Sequence, residues 1–322
     1  MTVTVSAPGK LMLLGEHAVV YGHPCIVTAV SQRMRVKASK FDEPLCVINA
    51  PDVEVVNYKK SITSLGTGEI PRGVRFVEVA VKNYREKFSF TGGVSLTTSS
   101  EFSALFGFGS SAASVVCVIK ALSQLYGKKI SNDQLFSLAY KTVLDVQGKG
   151  SGFDVAAAIY GGTIYFANGG KIVEPLAVLD VPIIVGYTGI KADTISLIHS
   201  VKEKMDAQPE RLQRIFDAIT KLTCDAKEKM LEGDWSRVGR LMEFNQEYLR
   251  DIGVSSEKLE ALISAAKEAG AYGAKLSGAG GGDCMIACAP EDKRKVIEDA
   301  LSAVGGQVIH IECGAEGVRV EA

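Results

Sequence analysis

The sequence predicts an α+β protein built from two domains. The chain has 322 residues, which is long for one domain and sufficient for two buried cores. Its first part is rich in short β-branched stretches separated by turn residues. Its last part reads as strand, helix, strand, an order consistent with an α+β sandwich. After about residue 180 the pattern changes to one strand followed by a long helical tract. This change places the boundary between a first domain, residues 1–180, and a second, residues 181–322.

The first domain begins with strands and continues with helices. Strand signals cover TVTVSAPGKLMLLG, PCIVTAV, MRVKAS, LCVINA and GGVSLTTSS, whereas RGVRFVEVAVKNYREKF is interpreted as helical. Val115, Ile119 and Leu122 recur at helical spacing after a glycine-rich turn, and Gly127 suits the end of that helix. A second helix, NDQLFSLAYKTVLDVQ, follows.

The second domain begins with the strand VPIIVGYTG. A long helical tract then runs from 194 to about 270, with interruptions near Pro209, Gly233 and Gly253. A glycine-rich stretch, the helix DKRKVIEDALSAVG and a last strand, GQVIHIEC, complete the prediction.

Composition argues against several classes of protein. The formal net charge is −1, whereas a nucleic-acid-binding protein usually carries a basic excess. No apolar run reaches the roughly 18 residues of a membrane helix, and the N-terminus lacks the pattern of a signal peptide. Seven scattered cysteines indicate reduced thiols rather than disulfides or a zinc site. We therefore expect a cytoplasmic protein with neither a nucleic-acid nor a membrane partner.

The segment GFGSSAAS is a candidate anion site. Gly107 and Gly109 permit a sharp turn, and the helix predicted to begin near Ser110 offers free N–H groups and a positive dipole end. The serine hydroxyls suit a helix cap, a phosphate or a magnesium ion. The lysine of G-x-x-x-x-G-K-[ST] is missing, which argues against a Walker-type NTPase. A simple turn with a serine cap stays open as an alternative.

Three further segments carry candidate chemistry. In KGSGFDVAAAIYGG, Asp154 is either a proton acceptor among small residues or a helix-capping aspartate. The glycines of KLSGAGGGDC are hard to explain by packing and suggest a loop around an anion or a hinge. In APGKLMLLGEHAVVYG, Lys10 is expected at the end of a strand beside a Pro-Gly turn, and the alternative is a hairpin with surface charges.

These segments, in this order, resemble the three motifs of the GHMP kinases. SAPGKLMLLGEHAVVYG is similar to the first motif in the form that mevalonate kinases have, GFGSSAAS to the second, and KLSGAGGGDCMIA to the third. The resemblance implies an N-terminal domain like the second domain of ribosomal protein S5 and a ferredoxin-like C-terminal domain. It also implies a kinase that uses ATP and Mg²⁺ to phosphorylate the C5 hydroxyl of mevalonate, with a homodimer as one possible assembly.

The resemblance also implies roles for individual residues. Asp154 would be the catalytic aspartate, and Lys10 would lower the pKa of the hydroxyl and offset developing charge. Ser111 would contact magnesium and phosphate. Glu16 and His17 would contact mevalonate, and Thr194 would lie near the transferred phosphoryl group. The remaining expected ATP-binding residues are those of the triphosphate loop, Gly107, Gly109, Ser110 and Ala112, and those that close over it, Gly278, Ala279, Gly280 and Gly281.

Two departures from the mevalonate kinase pattern keep alternatives open. Val143 stands where those kinases have a glutamate that helps to hold magnesium, and Asp145 is expected on a different helix face. The turn before Asp154 and the aspartate at 283 are more similar to phosphomevalonate kinases, where Lys149 and Lys191 would serve the second phosphate. A third alternative is a catalytically inactive relative that senses a ligand.

Overall fold

The computed structural model describes residues 1–178 and 180–321 of the chain. Its first half contains β1 (Thr2–Leu14), β2 (Cys25–Phe41), β3 (Leu45–Ala50), β4 (Val55–Ser61), α1 (Arg75–Phe88), β5 (Gly93–Ser100), α2 (Ser110–Leu125), α3 (Asn132–Gln147), α4 (Phe153–Tyr160), β6 (Thr163–Ala167) and β7 (Ile172–Leu176). The second half contains β8 (Ile183–Tyr187), α5 (Thr194–Ala207), α6 (Pro209–Glu232), α7 (Trp235–Asp251), α8 (Glu257–Glu268), β9 (Gly273–Ser277), β10 (Cys284–Cys288), α9 (Arg294–Ala303), β11 (Gln307–Ile309) and β12 (Arg319–Val320).

The first sheet has the strand order β12-β1-β2-β5-β3-β4, and β6 and β7 branch from β2. Its pairs are antiparallel except β3 with β5. Helix α2 lies against β1 and β2, and it is mostly buried because small and β-branched residues fill its surface. This packing directs the N-terminus of α2 to the middle of β1, where the first and second motifs meet.

The second sheet is antiparallel and has the order β11-β8-β10-β9. Numbered within this sheet, that order is 4-1-3-2 with the connectivity strand, helices, strand, strand, helix, strand, which is the ferredoxin-like topology that the resemblance implied. Helices α7, α8 and α9 pack on its strands. The largest hydrophobic core joins residues of both sheets, including Leu14 of β1 and Ile286 of β10.

Most predicted elements are confirmed. The helix over 75–88, the two helices that follow the glycine-rich turn, and the breaks in the helical tract all agree with the structure. Pro209 begins α6, and Gly233, with a φ of 75°, ends it. Within the described residues, no helix is long and apolar enough to cross a membrane.

Three predictions about strands need correction. PCIVTAV and MRVKAS are parts of the single strand β2, because β1 pairs with it along nearly its whole length. Lys10 lies in the middle of β1, since Pro8-Gly9 is part of the strand and not a turn; the bulge at this point is formed by Ser31 and Gln32 of β2. The strand at 307–309 is not the last: Val5 and Ser6 of β1 pair with β12. The end of the predicted second domain therefore lies on the first sheet.

Candidate active site

Lys10 is a buried lysine that joins β1 to the glycine-rich turn before α2. Its side chain is 7% exposed, and its Nζ donates to the carbonyl oxygen of Gly107 at 2.9 Å. Its backbone N–H donates to the carbonyl oxygen of Phe108 at 3.0 Å, and the Nζ lies 5.2 Å from the ring centroid of Phe153. A surface lysine on a hairpin is therefore excluded.

The N-terminus of α2 is open for an anion. Gly109 precedes the helix with a φ of 76°, and no side chain caps the free N–H groups. Ser110 and Ser111 are half-buried on the first turn, and Ala112 is buried beneath them. The serine cap considered from the sequence is absent, so the helix end keeps the donors that a phosphate would need.

Gly109 is also the point where Lys10 and Asp154 meet. A methyl group placed on Gly109 would lie 3.2 Å from Cγ and Cε of Lys10 and 3.6 Å from Cβ of Asp154. The absence of a side chain at Gly109 thus leaves a space bounded by a cation, a carboxylate and a helix N-terminus. These three features, far apart in the sequence, lie on one side of the molecule.

Asp154 is the second residue of α4 and is half-buried. Gly152 turns the chain into this helix with a φ of 88°, and a methyl group placed on it would lie 3.2 Å from the rings of Phe136 and Tyr140. The pKa of the neighbouring Cys25 thiol is affected by all three charged groups. Burial raises this pKa most, and the Glu16 and Asp154 carboxylates raise it further, whereas the charge of Lys10 lowers it. Lys10, Glu16 and Asp154 therefore surround a common region.

Glu16 forms a fully buried ion pair with Lys275 of β9. Both side chains have no exposed surface, and Lys275 Nζ donates to Glu16 Oε1. The second oxygen, Oε2, is buried without a hydrogen-bond partner. Burial raises the pKa of Glu16, and the charge of Lys275 opposes this increase. Lys275 was not predicted from the sequence, although a lysine at the centre of a short apolar strand was a signal for a buried partner.

His17 connects the first motif to the third. Its Nε2–H donates to the carbonyl oxygen of Ala279 at 2.9 Å, which fixes the neutral tautomer. Burial lowers the pKa of His17 to about 4, although this hydrogen bond opposes the shift. The residue has a φ of 60°, an uncommon conformation for a residue with a side chain. His17 is thus a neutral and rigidly held group at physiological pH.

The third glycine-rich segment has packing reasons that the sequence did not reveal. A methyl group on Gly280 would lie 2.1 Å from the carbonyl oxygen of Val254, and one on Gly282 would lie 2.5 Å from that of Ile190. The Gly281 N–H also donates to Val254 at 2.7 Å. The prediction that packing does not explain these glycines is therefore wrong for Gly280 and Gly282. Gly278, with a φ of 100°, has open space beside it.

Thr194 begins helix α5 and is exposed, with Asp193 as the capping residue before it. The preceding loop carries Lys191, whose Nζ lies 3.0 Å from Oδ1 of Asp283. This pair was not predicted. It lies beside Gly107, and it brings the loop before α5 to the glycine-rich turn.

The position of the missing glutamate offers no ligand for a metal. Val143 is 8% exposed and belongs to the hydrophobic core. Asp145 lies on another face of α3, as expected, and accepts hydrogen bonds from Asn83 and Lys141 at 2.8 and 2.5 Å. Across residues 1–178 and 180–321, no group of three or more His, Cys, Asp or Glu side chains is arranged to hold a metal ion.

Comparison with known proteins agrees with this geometry. Residues 75–162 match the family model of the GHMP kinases N terminal domain, and residues 226–307 match that of the GHMP kinases C terminal. A mevalonate kinase of Thermococcus gammatolerans is 36% identical over 333 residues, which cover 100% of this chain and 99% of that protein.

Two solved structures share the fold over almost their whole length. The mevalonate kinase of Methanococcus jannaschii has a TM-score of 0.82 and 25% identity, covering 96% of this chain and 98% of its own. The L. major mevalonate kinase in complex with R-mevalonate has a TM-score of 0.78 and 26% identity, covering 97% and 96%. The motifs, the topology and these full-length relatives show that the chain belongs to the GHMP kinase family and is a kinase.

Proposed function

We propose that this kinase transfers the γ-phosphoryl group of ATP to the C5 hydroxyl of mevalonate, giving 5-phosphomevalonate. The observation that carries the proposal is the meeting of Lys10 and Asp154 at Gly109, where helix α2 begins. This arrangement supplies a proton acceptor, a cation and an anion site within one space. The full-length relatives named mevalonate kinase support the choice of acceptor.

The chemistry follows from the charges in this space. Asp154 orients the hydroxyl and accepts its proton as the C5 oxygen bonds to the γ-phosphorus. The bond from that phosphorus to the β–γ bridging oxygen breaks, and ADP leaves with the electron pair. Lys10 favours the deprotonated hydroxyl and stabilises charge on the transferred group. The N–H groups at the start of α2 hold the phosphates in place of a loop lysine.

The residues fit a magnesium ion that is held mainly by the nucleotide. Ser111 lies on the uncapped first turn of α2, and Val143 contributes no oxygen. Mg²⁺ often keeps several waters and binds through few protein ligands together with substrate phosphates. Ser111 would hold it, and its charge, when bound, would neutralise the phosphoryl oxygens.

Two features support mevalonate over phosphomevalonate as acceptor. The segment GEHAVVYG is similar to that of mevalonate kinases, and its His17 is buried and neutral. Lys191, one of the two lysines proposed for a second phosphate, is already paired with Asp283. Asp283 holds this lysine beside Gly107, in the turn proposed to bind the nucleotide, so Lys191 is less available to a second phosphate on the acceptor.

A coupled assay of ADP formation tests the proposal. Mevalonate and phosphomevalonate are supplied in parallel reactions, with ATP and Mg²⁺ in excess. We expect turnover with mevalonate and at most weak turnover with phosphomevalonate. Faster turnover with phosphomevalonate would indicate a phosphomevalonate kinase. Nucleotide binding without turnover of either acceptor would support the ligand-sensor alternative.

Two matched variants test the role of Asp154. We expect Asp154→Asn to lower turnover by at least roughly 10²-fold, the low end for a positioned base, while the dissociation constant of ADP changes little. Asp145→Asn removes the same charge from an exposed residue paired with Lys141, and it should retain turnover. Equal activity of the two variants would remove Asp154 from the mechanism.

We further propose that the protein works in the cytoplasm and forms a homodimer. The cysteines described by the structure are all free thiols, which agrees with a reducing compartment. Light scattering on the purified protein tests the dimer, since a mass near 34.3 kDa would indicate a monomer.

A further inference from the structure

The side chain of Asp283 occupies the space that a side chain at Gly107 would need. A methyl group on Gly107 would lie 2.5 Å from Asp283 Oδ2 and 3.1 Å from its Cβ. Asp283 itself has a φ of 52°, in the left-handed region that favours glycine. A carboxylate is therefore held, at some conformational cost, against the turn that precedes the open end of α2.

The loop that carries Lys191 is fixed to Asp283 by backbone hydrogen bonds. The Thr188 N–H donates to the Asp283 carbonyl oxygen at 2.9 Å, and the Asp283 N–H donates to Ile190 at 2.8 Å. The Ala192 N–H donates to Asp283 Oδ1 at 2.9 Å. These bonds hold the backbone of the loop between β8 and α5 beside Asp283, whose side chain lies against Gly107.

The ammonium group of Lys191 keeps the capacity to bind an anion. Its Nζ lies 3.0 and 3.2 Å from the two Asp283 oxygens, and an ammonium group has three N–H donors. The Lys191 side chain is 42% exposed, whereas that of Asp283 is 9% exposed. The lysine thus covers a buried carboxylate on the side that faces solvent.

Lys10 and Lys191 approach the same turn from two directions. Cys284, which donates from its Sγ to the carbonyl oxygen of Phe106 at 3.2 Å, lies under the turn. Burial and then Asp283 raise the pKa of its thiol, and both Lys10 and Lys191 oppose that increase. Both cations therefore lie near Cys284 and the turn that it contacts.

We propose that Lys191 is a nucleotide-binding residue that contacts the phosphates of ATP, and that Asp283 holds it in position. This inference rests on the proposed function, because it needs the triphosphate to lie along Gly107 and Gly109. It assigns Lys191 to the nucleotide and not to a second phosphate on the acceptor. Part of the positive charge that the glycine-rich loop lacks is then supplied by the loop before α5.

Titration of adenosine, AMP and ADP by calorimetry tests the assignment without turnover. Lys191→Met removes the charge and keeps the length of the side chain. We expect ADP affinity to fall roughly tenfold to a hundredfold, as for a lost charge-assisted hydrogen bond, while the affinity for adenosine is unchanged. Lys191→Arg keeps the charge and should retain most of the ADP affinity.

Lys202→Met is the matched control. Lys202 is also an exposed lysine paired with an aspartate, Asp206, on α5, so this variant removes the same charge from the same part of the chain. It should bind ADP as the parent protein does. An equal loss of affinity in both variants would indicate a general charge effect and overturn the proposal.

A second variant separates binding from positioning. In Lys191→Met the Asp283 carboxylate is left unpaired beside the phosphates, so Lys191→Met/Asp283→Asn should recover part of the ADP affinity by removing that repulsion. Parent-like ADP affinity in Lys191→Met, or a loss confined to the KM of the acceptor, would overturn the proposal. Failure of mevalonate turnover would refute the proposed acceptor but leave the ADP titration as an independent test.

Discussion

The buried pair of Glu16 and Lys275 gives the sharpest prediction about stability. Lys275→Met removes the cation but keeps an apolar side chain of similar length in β9. Glu16 then has no charge to balance its own, and its Oε2 already lacks a hydrogen-bond partner. Removing one partner of a buried pair typically costs about 3–5 kcal/mol. We therefore expect Lys275→Met to be strongly destabilised at neutral pH.

Protonation of Glu16 limits the decrease in the free energy of unfolding of Lys275→Met. The ordinary pKa of a glutamate is 4.5, so keeping Glu16 protonated at pH 7 costs about 3.4 kcal/mol at about 1.36 kcal/mol per pH unit. The folded-state pKa of Glu16 in the variant is raised, so the penalty is absent below the unfolded-state value and grows as pH rises above it. The variant should lose less stability at pH 5 than at pH 8.

Thermal and urea unfolding at pH 5 and pH 8 measure the effect. At pH 7 the loss of about 3.4 kcal/mol in the free energy of unfolding corresponds to a decrease of roughly 5 °C in the unfolding midpoint for a chain of this length. Glu16→Gln/Lys275→Met replaces the pair by neutral groups and should recover most of the stability, because neutral replacements of buried pairs are often well tolerated. A loss below about 1 kcal/mol at pH 8, or one that does not depend on pH, would refute the reasoning.

Two further predictions concern His17 and Ser111. Because burial lowers the pKa of His17 to about 4, the unfolded chain binds more protons than the folded protein between that value and 6.5, so stability should decrease as pH falls through this window. His17→Gln should show less of this decrease in urea unfolding at pH 4.5 and 7, and an identical pH profile would contradict the effect of burial. Ser111→Ala should require a higher Mg²⁺ concentration for half-maximal turnover, because it removes the hydroxyl proposed to hold the ion; an unchanged Mg²⁺ titration would exclude that role.

Local sequence determined the helices and their ends. Helical periodicity identified α2 and α3, and Pro209, Gly233 and Gly253 marked the breaks in the helical tract correctly. These signals are local, since a proline that lacks an N–H or a glycine that adopts a positive φ acts on its own turn of the chain. The order of the glycine-rich motifs was likewise enough to predict the family and the domain folds.

The lengths of the strands, and the existence of the shortest one, depended on the strands they pair with. Residues 31–33 contain polar side chains that divide two short strands in the sequence pattern, yet β2 is one strand, because β1 pairs with it on both sides of a bulge at Ser31 and Gln32. Arg33 is buried there because it donates to Ser6, Glu316 and Gly317. No local pattern in residues 319–320 indicated that they would pair with β1, since a two-residue strand exists only through its neighbour.

By itself, the sequence determined which residue types were available for the chemistry: a lysine, an aspartate, serines and glycine-rich turns. Only the tertiary structure decided that Lys10 and Asp154 face each other across Gly109, that Glu16 is neutralised by Lys275, and that Asp283 brings Lys191 to Gly107. The physical reason is that charge balance and close packing join atoms far apart in the chain. A pattern of neighbouring residues carries no direct record of such contacts.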